Sequence, residues 1–178
     1  MEKVWFTSDL HWHLNQQRTL IMSKRPFDTV SDMNDAIIKN WNRNINKDDT
    51  IYILGDFGDY NYAQYLNGHK ILIPGNYEMV DDLDYIKSFD FDKVTDEIYT
   101  IDYLRYKINM VHEPMKLNKQ YMADNEINLF GHIHKLCMVK KFGLNVGADC
   151  HNFTPIDLDT VLFYIHAIKE YYSEDVFV

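Results

Sequence analysis

Apolar residues follow two rhythms along the chain. Val4-Trp5-Phe6-Thr7, Thr50-Ile51-Tyr52-Ile53-Leu54 and Lys70-Ile71-Leu72-Ile73 are short apolar runs that read as buried strands. Each stops abruptly at polar residues: Ser8-Asp9-Leu10-His11, Gly55-Asp56 and Pro74-Gly75-Asn76. Between the first two runs, Met33, Ile37, Ile38 and Trp41 recur at helical spacing, with Ser31 as the expected N-cap. Residues around Tyr62 to Leu66 predict a short helix closed by Gly68. From Val94 to Val111 the pattern alternates and carries β-branched and aromatic residues, as a hairpin or a pair of strands does. Glu126 to Phe130 reads as a strand ending at Gly131-His132, and Lys135 to Val146 as two short strands turning near Gly143. Asp157 caps a last helix with the apolar stripe Leu158, Val161, Leu162, Ile165 and Ile168. Strands that first alternate with helices and then dominate predict an α/β sandwich, with helices covering the outer faces of mixed sheets.

Composition narrows the function classes. The 178 residues show no repeat, low-complexity tract or linker, so one domain over residues 1–178 is expected. No apolar run approaches the ~20 residues of a membrane span. The opening Met1-Glu2-Lys3-Val4-Trp5 lacks the features of a signal peptide. Cys137 and Cys150 form no framework and read as free thiols, which makes a cytoplasmic location the expectation. A formal net charge of -9 argues against extended nucleic acid as partner. It leaves room for a small phosphorylated substrate drawn in by metals. The stripe Tyr99, Tyr103 and Tyr106 suits sheet packing or an oligomer contact better than substrate stacking.

The chemistry lies in a coincidence of strand ends. Five predicted strands each terminate in a residue able to bind a metal: Asp9 and His11, Asp56, Asn76, His112, and His132 with His134. In open α/β sheets, ligands gather beyond the carboxyl ends of the strands. Mixed oxygen and imidazole donors suit Mn, Fe, Zn or Ni better than Ca or Mg. An extended Asp9-Leu10-His11 would point both polar side chains the same way, with Leu10 inward. The same spacing recurs in His132-Ile133-His134, where a turn would instead send the imidazoles to different metals. Gly55, Gly75 and Gly131 each precede a ligand candidate, where sharp turns and close backbone approach are useful. Asp56 has two carboxylate oxygens and is able to bridge two ions.

Asp9-Leu10-His11, Gly55-Asp56-Phe57-Gly58-Asp59, Gly75-Asn76-Tyr77-Glu78, His112 and Gly131-His132-Ile133-His134, in this order, resemble the calcineurin-like metallophosphoesterase family. The resemblance covers roughly the first 135 residues, and its strength lies in all five blocks occurring together. It implies a four-layer sandwich of two mixed β-sheets flanked by helices. It also implies two divalent metal ions, with Mn the leading choice. One ion would be held by Asp9, His11, Asp56 and His134, the other by Asp56, Asn76, His112 and His132. A bridging water or hydroxide would attack phosphorus in line with the leaving oxygen.

Asp56, Asn76, Tyr77 and His112 are thus the catalytic candidates. Tyr77 departs from the family pattern, which usually has histidine there. Tyrosine titrates near 10 when unperturbed, so it donates a hydrogen bond but is a poorer acid than imidazolium. His13 and His151 are alternative proton donors, and His13 and Arg25 are candidate substrate contacts. Glu78 is expected to support the site from behind, Asp59 to cap a turn, and Asp81-Asp82-Leu83-Asp84 to be a solvated face or cap. The reading that results is a phosphodiesterase acting on a small nucleotide-like substrate. Its rivals are a phosphomonoesterase or protein phosphatase, and a metal-binding scaffold without turnover.

Overall fold

A computed structural model describes residues 2–12, 24–117 and 122–173. The predicted strands form, in two sheets. In the first, β1 (Val4–Thr7), β2 (Thr50–Leu54), β3 (His69–Ile73) and β4 (Lys93–Val94) run parallel, with the later β10 (Ile156–Asp157) antiparallel beside β1. The second holds β5 (Ile98–Tyr103), β6 (Tyr106–Val111), β7 (Glu126–Phe130), β9 (Gly143–Asn145) and β8 (Val139–Lys140), in that spatial order. There β6, β7 and β9 are parallel, while β5 and β8 are antiparallel to their neighbours. Both sheets are therefore mixed.

Alternation along the strands divides the core in two. Trp5, Ile51, Ile53 and Leu72 face outward from the first sheet and are covered by Met33, Ile37 and Trp41 of helix α1 (Val30–Asn44). Their neighbours Val4, Phe6, Tyr52, Leu54 and Ile73 face inward and meet Ile108, Met110, Ile127, Leu129 and Leu144 of the second sheet. The C-terminal helix α3 (Leu158–Tyr171) adds Leu158, Val161, Ile165 and Ile168 to this inter-sheet core. A small helix, α2 (Leu83–Ile86), lies between β3 and β4. The result is the expected α/β fold: two mixed sheets with flanking helices. No helix among the described residues is long and apolar enough to cross a membrane.

Local chemistry explains the element ends. Helix α1 is capped by Thr29 rather than Ser31. Thr29 has the extended backbone an N-cap needs, and its hydroxyl accepts from the Asp32 N–H, whereas Ser31 already lies inside the helix. Asp157 caps α3 as expected, accepting from the Thr160 N–H at 3.0 Å. Asp59 and Asp82 likewise cap the turns that follow them. The segment expected to be a hairpin from Val94 begins only at Ile98. Val94 pairs with Leu72 in the first sheet, and the chain crosses to the second sheet in the next few residues.

The outer face of the second sheet carries a polar ladder. The Thr100 hydroxyl donates to the Asn109 side-chain carbonyl at 3.0 Å, and the Asn109 amide donates to Asn128 at 2.8 Å. The Asn128 amide then donates to the Phe142 carbonyl at 2.8 Å. Thr100, Asn109 and Asn128 are register partners on adjacent strands, which is why their short side chains reach one another.

Ile37 is fully buried between α1 and the first sheet. Ile37→Ala is expected to cost about 2–5 kcal/mol of stability, measured by urea unfolding.

Candidate metal centre

The parallel strands β1, β2 and β3, and the parallel pair β6 and β7, deliver their carboxyl ends to one end of the sandwich. The loops leaving β1 and β2 run side by side: the Asp9 N–H donates to the Gly55 carbonyl at 3.1 Å and His11 N–H to Asp56 carbonyl at 2.9 Å. Asp9-Leu10-His11 is not extended, as the sequence suggested. Asp9, His11, Asp56, His132 and His134 all have left-handed φ, at 57°, 55°, 52°, 71° and 48°. Side chains rarely adopt this conformation, and its concentration at one end of the fold is a sign of a functional site. Leu10 still packs inward and is fully buried.

Two glycines let the loops close. A Cβ on Gly55 would lie 2.5 Å from the Gly75 Cα, and its φ of +75° already disfavours a side chain. A Cβ on Gly131 would lie 2.6 Å from an Asp9 carboxylate oxygen. That carboxylate accepts the His132 N–H at 2.9 Å and so joins the two sheets at the site.

The seven ligand candidates converge in two overlapping groups. Around Asn76, the His112 Nε2 and the His132 Nδ1 each stand 3.0 Å from the Asn76 side-chain oxygen, and 3.2 Å from each other. Asp56 Oδ1 is 3.3 Å from the same His112 nitrogen. On the other side, His11 Nε2 lies 3.6 Å from Asp56 Oδ2 and 3.9 Å from Asp9 Oδ1. The His11 and His134 rings stack at 5.2 Å. Asp9, His11 and His134 offer ligand atoms within 4.8 Å of one another, as do Asp9, Asp56 and His112. Donors about 2.0–2.1 Å from a common ion stand roughly 3.0–3.4 Å apart in tetrahedral or octahedral shells. The Asn76 group already has that spacing, and its nitrogen and oxygen donors fit a divalent transition metal. The His132-Ile133-His134 turn sends its two imidazoles to opposite groups.

Several side chains hold the ligands from behind. Glu78 is fully buried; one oxygen accepts from the Asp56 N–H at 2.8 Å and the Gly75 N–H at 2.9 Å, the other from the Phe57 N–H at 2.8 Å. His112 Nδ1 donates to the Leu54 carbonyl at 2.8 Å, which turns Nε2 toward Asn76 and Asp56. Asp149 accepts from His134 Nδ1 at 2.7 Å and fixes that ring in the same way. Asn145 donates to the His134 carbonyl at 2.7 Å. Sequence reading missed Asp149 and Asn145, because they follow the last histidine by more than ten residues with no motif around them. Only the fold of β9 and the turn after it brings them back.

Burial and charge set the protonation of these groups. Burial pushes His11 down to about 3, despite the nearby Asp56 carboxylate, so its ring is neutral at pH 7. Burial also acts against the charged form of His112, but Asp56, Asp9 and the Leu54 carbonyl outweigh it and raise this histidine to about 9. Burial would raise Asp149, yet His134 and Arg25 hold it at about 2. Glu78 is pushed up by burial and by Asp56, against its three backbone hydrogen bonds.

Arg25 is placed differently from the substrate contact that the sequence suggested. Its guanidinium is buried and donates to both Asp149 oxygens, at 2.9 and 2.8 Å. It also donates to the Leu10 and Asp9 carbonyls and to the Met33 sulfur. Five such contacts match the five N–H donors of the group, so Arg25 braces the Asp9 loop and Asp149. His151 Nε2 donates to the Asn145 carbonyl at 2.8 Å and its ring packs against Tyr164, which removes it from proton delivery. His13 lies outside the described residues. Tyr77 stays at the site: it is 42% exposed, its ring stands edge-on to His11 at 5.3 Å, and its N–H faces Asp56 Oδ1 at 3.3 Å.

The family model for calcineurin-like phosphoesterases matches residues 2–157. An uncharacterized protein from Methanocaldococcus jannaschii is 26% identical over 175 residues, covering 91% of this chain and 90% of that protein. A protein of unknown function from Aquifex aeolicus has the same fold, with a TM-score of 0.71 at 21% identity, over 92% of this chain and 100% of that one. A phosphoesterase from E. coli gives a TM-score of 0.42 at 17% identity, over 82% and 76% of the two chains.

Two outcomes follow for metal binding. Asp149→Asn removes the charge behind His134 and is expected to weaken metal affinity about 10–100-fold, read by titration of the metal-stripped protein. Below about 9, His112 must give up a proton before its Nε2 can bind a metal. Affinity is therefore expected to rise with pH, up to about tenfold per unit while one proton is displaced. Calorimetry in buffers of different protonation enthalpy reads the released proton directly; a pH-independent affinity would place the ion away from His112.

Proposed function

The chain belongs to the calcineurin-like phosphoesterase family and is a metal-dependent phosphoesterase; on that premise we propose that it works with two metal ions on a small nucleotide-like phosphodiester. The observation that carries the proposal is the placement of Asp56. Its Oδ1 lies 3.3 Å from His112 Nε2 and its Oδ2 lies 3.6 Å from His11 Nε2. One carboxylate thus faces both ligand groups, as a bridging ligand must. Asp9, His11, Asp56 and His134 would hold one ion, and Asp56, Asn76, His112 and His132 the other. When bound, the pair would supply charge neutralisation for the phosphate and lower the pKa of a water beside it.

The chain's own groups supply the rest. The tautomers of His112 and His134 are fixed by Leu54 and Asp149, so each presents one nitrogen inward without reorganising. Tyr77, half-exposed beside His11, would give a hydrogen bond to a phosphate or leaving oxygen. As a weak acid it suits leaving groups that need no full proton transfer. The net charge of -9 supports a small substrate over a polynucleotide.

The test uses metal-stripped protein reloaded separately with Mn, Zn, Ni or Mg, and compares bis-p-nitrophenyl phosphate with p-nitrophenyl phosphate. Faster turnover of the diester is expected, with Mn the most effective ion. Preference for the monoester would make the protein a phosphomonoesterase. Absence of turnover with both ions bound would favour a scaffold. Asp56→Asn is expected to abolish turnover and weaken binding of both ions; unchanged activity would sink the bridged arrangement. Tyr77→His is expected to keep or raise activity on poor leaving groups, and a large loss would assign tyrosine a task of its own.

A further inference from the structure

A hollow of about 330 Å³ lies against the metal centre, lined by Pro114, Met115, His132, Ile133, Lys140 and Phe142. Four of its six walls are apolar. His132 belongs to both places: its Nδ1 faces Asn76 and His112, while the ring also forms part of the hollow. Two neighbouring features keep the apolar wall in position. Phe142 packs on Phe130 with ring centroids 6.0 Å apart, and its carbonyl ends the asparagine ladder. Pro114 and Met115 lie in the single turn that leaves His112. Met115 is 65% exposed, so its side chain lies open to an incoming ligand at the edge of the hollow.

We propose that this hollow receives a flat, apolar ester group of the substrate, such as an aryl ring or a nucleobase, while the phosphate sits at the metal centre. Three observations select this occupant. The hollow shares His132 with the centre, so a group held in it lies next to whatever binds at the metals. Its volume falls at the small end of ligand sites, room for a ring rather than a peptide. Lys140 adds a cation to the apolar wall, which suits a ring bearing acceptor atoms. Another hollow, at the amino-terminal end of β1, is lined by Glu2, Asp157 and Asp159 against the single cation Lys3, and this excess of carboxylates disfavours a phosphate ester.

The inference rests on the phosphodiester reading, and its test separates the two. Calorimetric titration of the Mn-loaded protein with the diesters methyl 1-naphthyl phosphate and dimethyl phosphate gives an affinity ratio that isolates the ring. The naphthyl ester is expected to bind at least about tenfold more tightly. That ratio is expected to fall toward one in Met115→Asp and in Phe142→Ala. It should persist in Leu104→Asp, a control at a residue that is 82% exposed and outside this hollow. Equal affinities in the unaltered protein, or a ratio that survives both substitutions in the hollow, would overturn the proposal. Failure of both diesters to bind would instead sink the phosphodiester reading, and this inference with it.

Discussion

Two turns that carry no charge complement of their own are held against each other by one buried carboxylate. Glu78 accepts from Asp56, Phe57 and Gly75, and thereby fixes the ends of β2 and β3 at a set distance. Asp56 and Asn76 project from those turns. Their approach requires glycine on both sides, since a Cβ at position 55 would strike the Gly75 backbone. Loss of Glu78 would leave three backbone N–H groups unpaired in the interior, a cost of about 1–3 kcal/mol each. The ligand set therefore depends on a residue that is not itself a ligand candidate.

The other half of the centre is organised by the same logic with opposite charge. Arg25 directs its donors to Asp149, the loop after β1 and the Met33 sulfur, and Asp149 in turn orients His134. Asp9 reaches across to the His132 backbone. The strained left-handed residues are thus held from several sides, which is the condition under which such conformations persist. Backbone and buried polar contacts thus set the geometry at the centre.

Much of this was legible in the sequence, for a physical reason. Buried parallel strands are short apolar runs, and their ends show as sudden polar residues, so β1, β2, β3 and β7 and the residues after them could be read directly. The capping role of Asp157 was equally local. What escaped was non-local or conformational. Asp149 lies in a turn whose sequence has no periodicity, and its partner Arg25 is 124 residues away. The left-handed φ of Asp9 and His11 contradicts the extended spacing that suggested them, although the same residues meet. The switch of sheets between Val94 and Ile98 was hidden because both sides have strand-like composition. The strand pattern could not say which sheet each run joins.

The asparagine ladder on the second sheet has a consequence for strand alignment. Side chains on a strand alternate faces, so a slip of one residue in β6 would turn Asn109 into the apolar interior and Ile108 out of it, and the same slip in β7 would do so to Asn128 and Ile127. Either slip would bury one amide and break the bond that joins the two. The ladder makes the correct alignment the one in which every amide is matched, and any frame-shifted sheet an inside-out one. Because His112 and His132 follow those same strands, the arrangement that selects the frame also decides which way the histidines emerge.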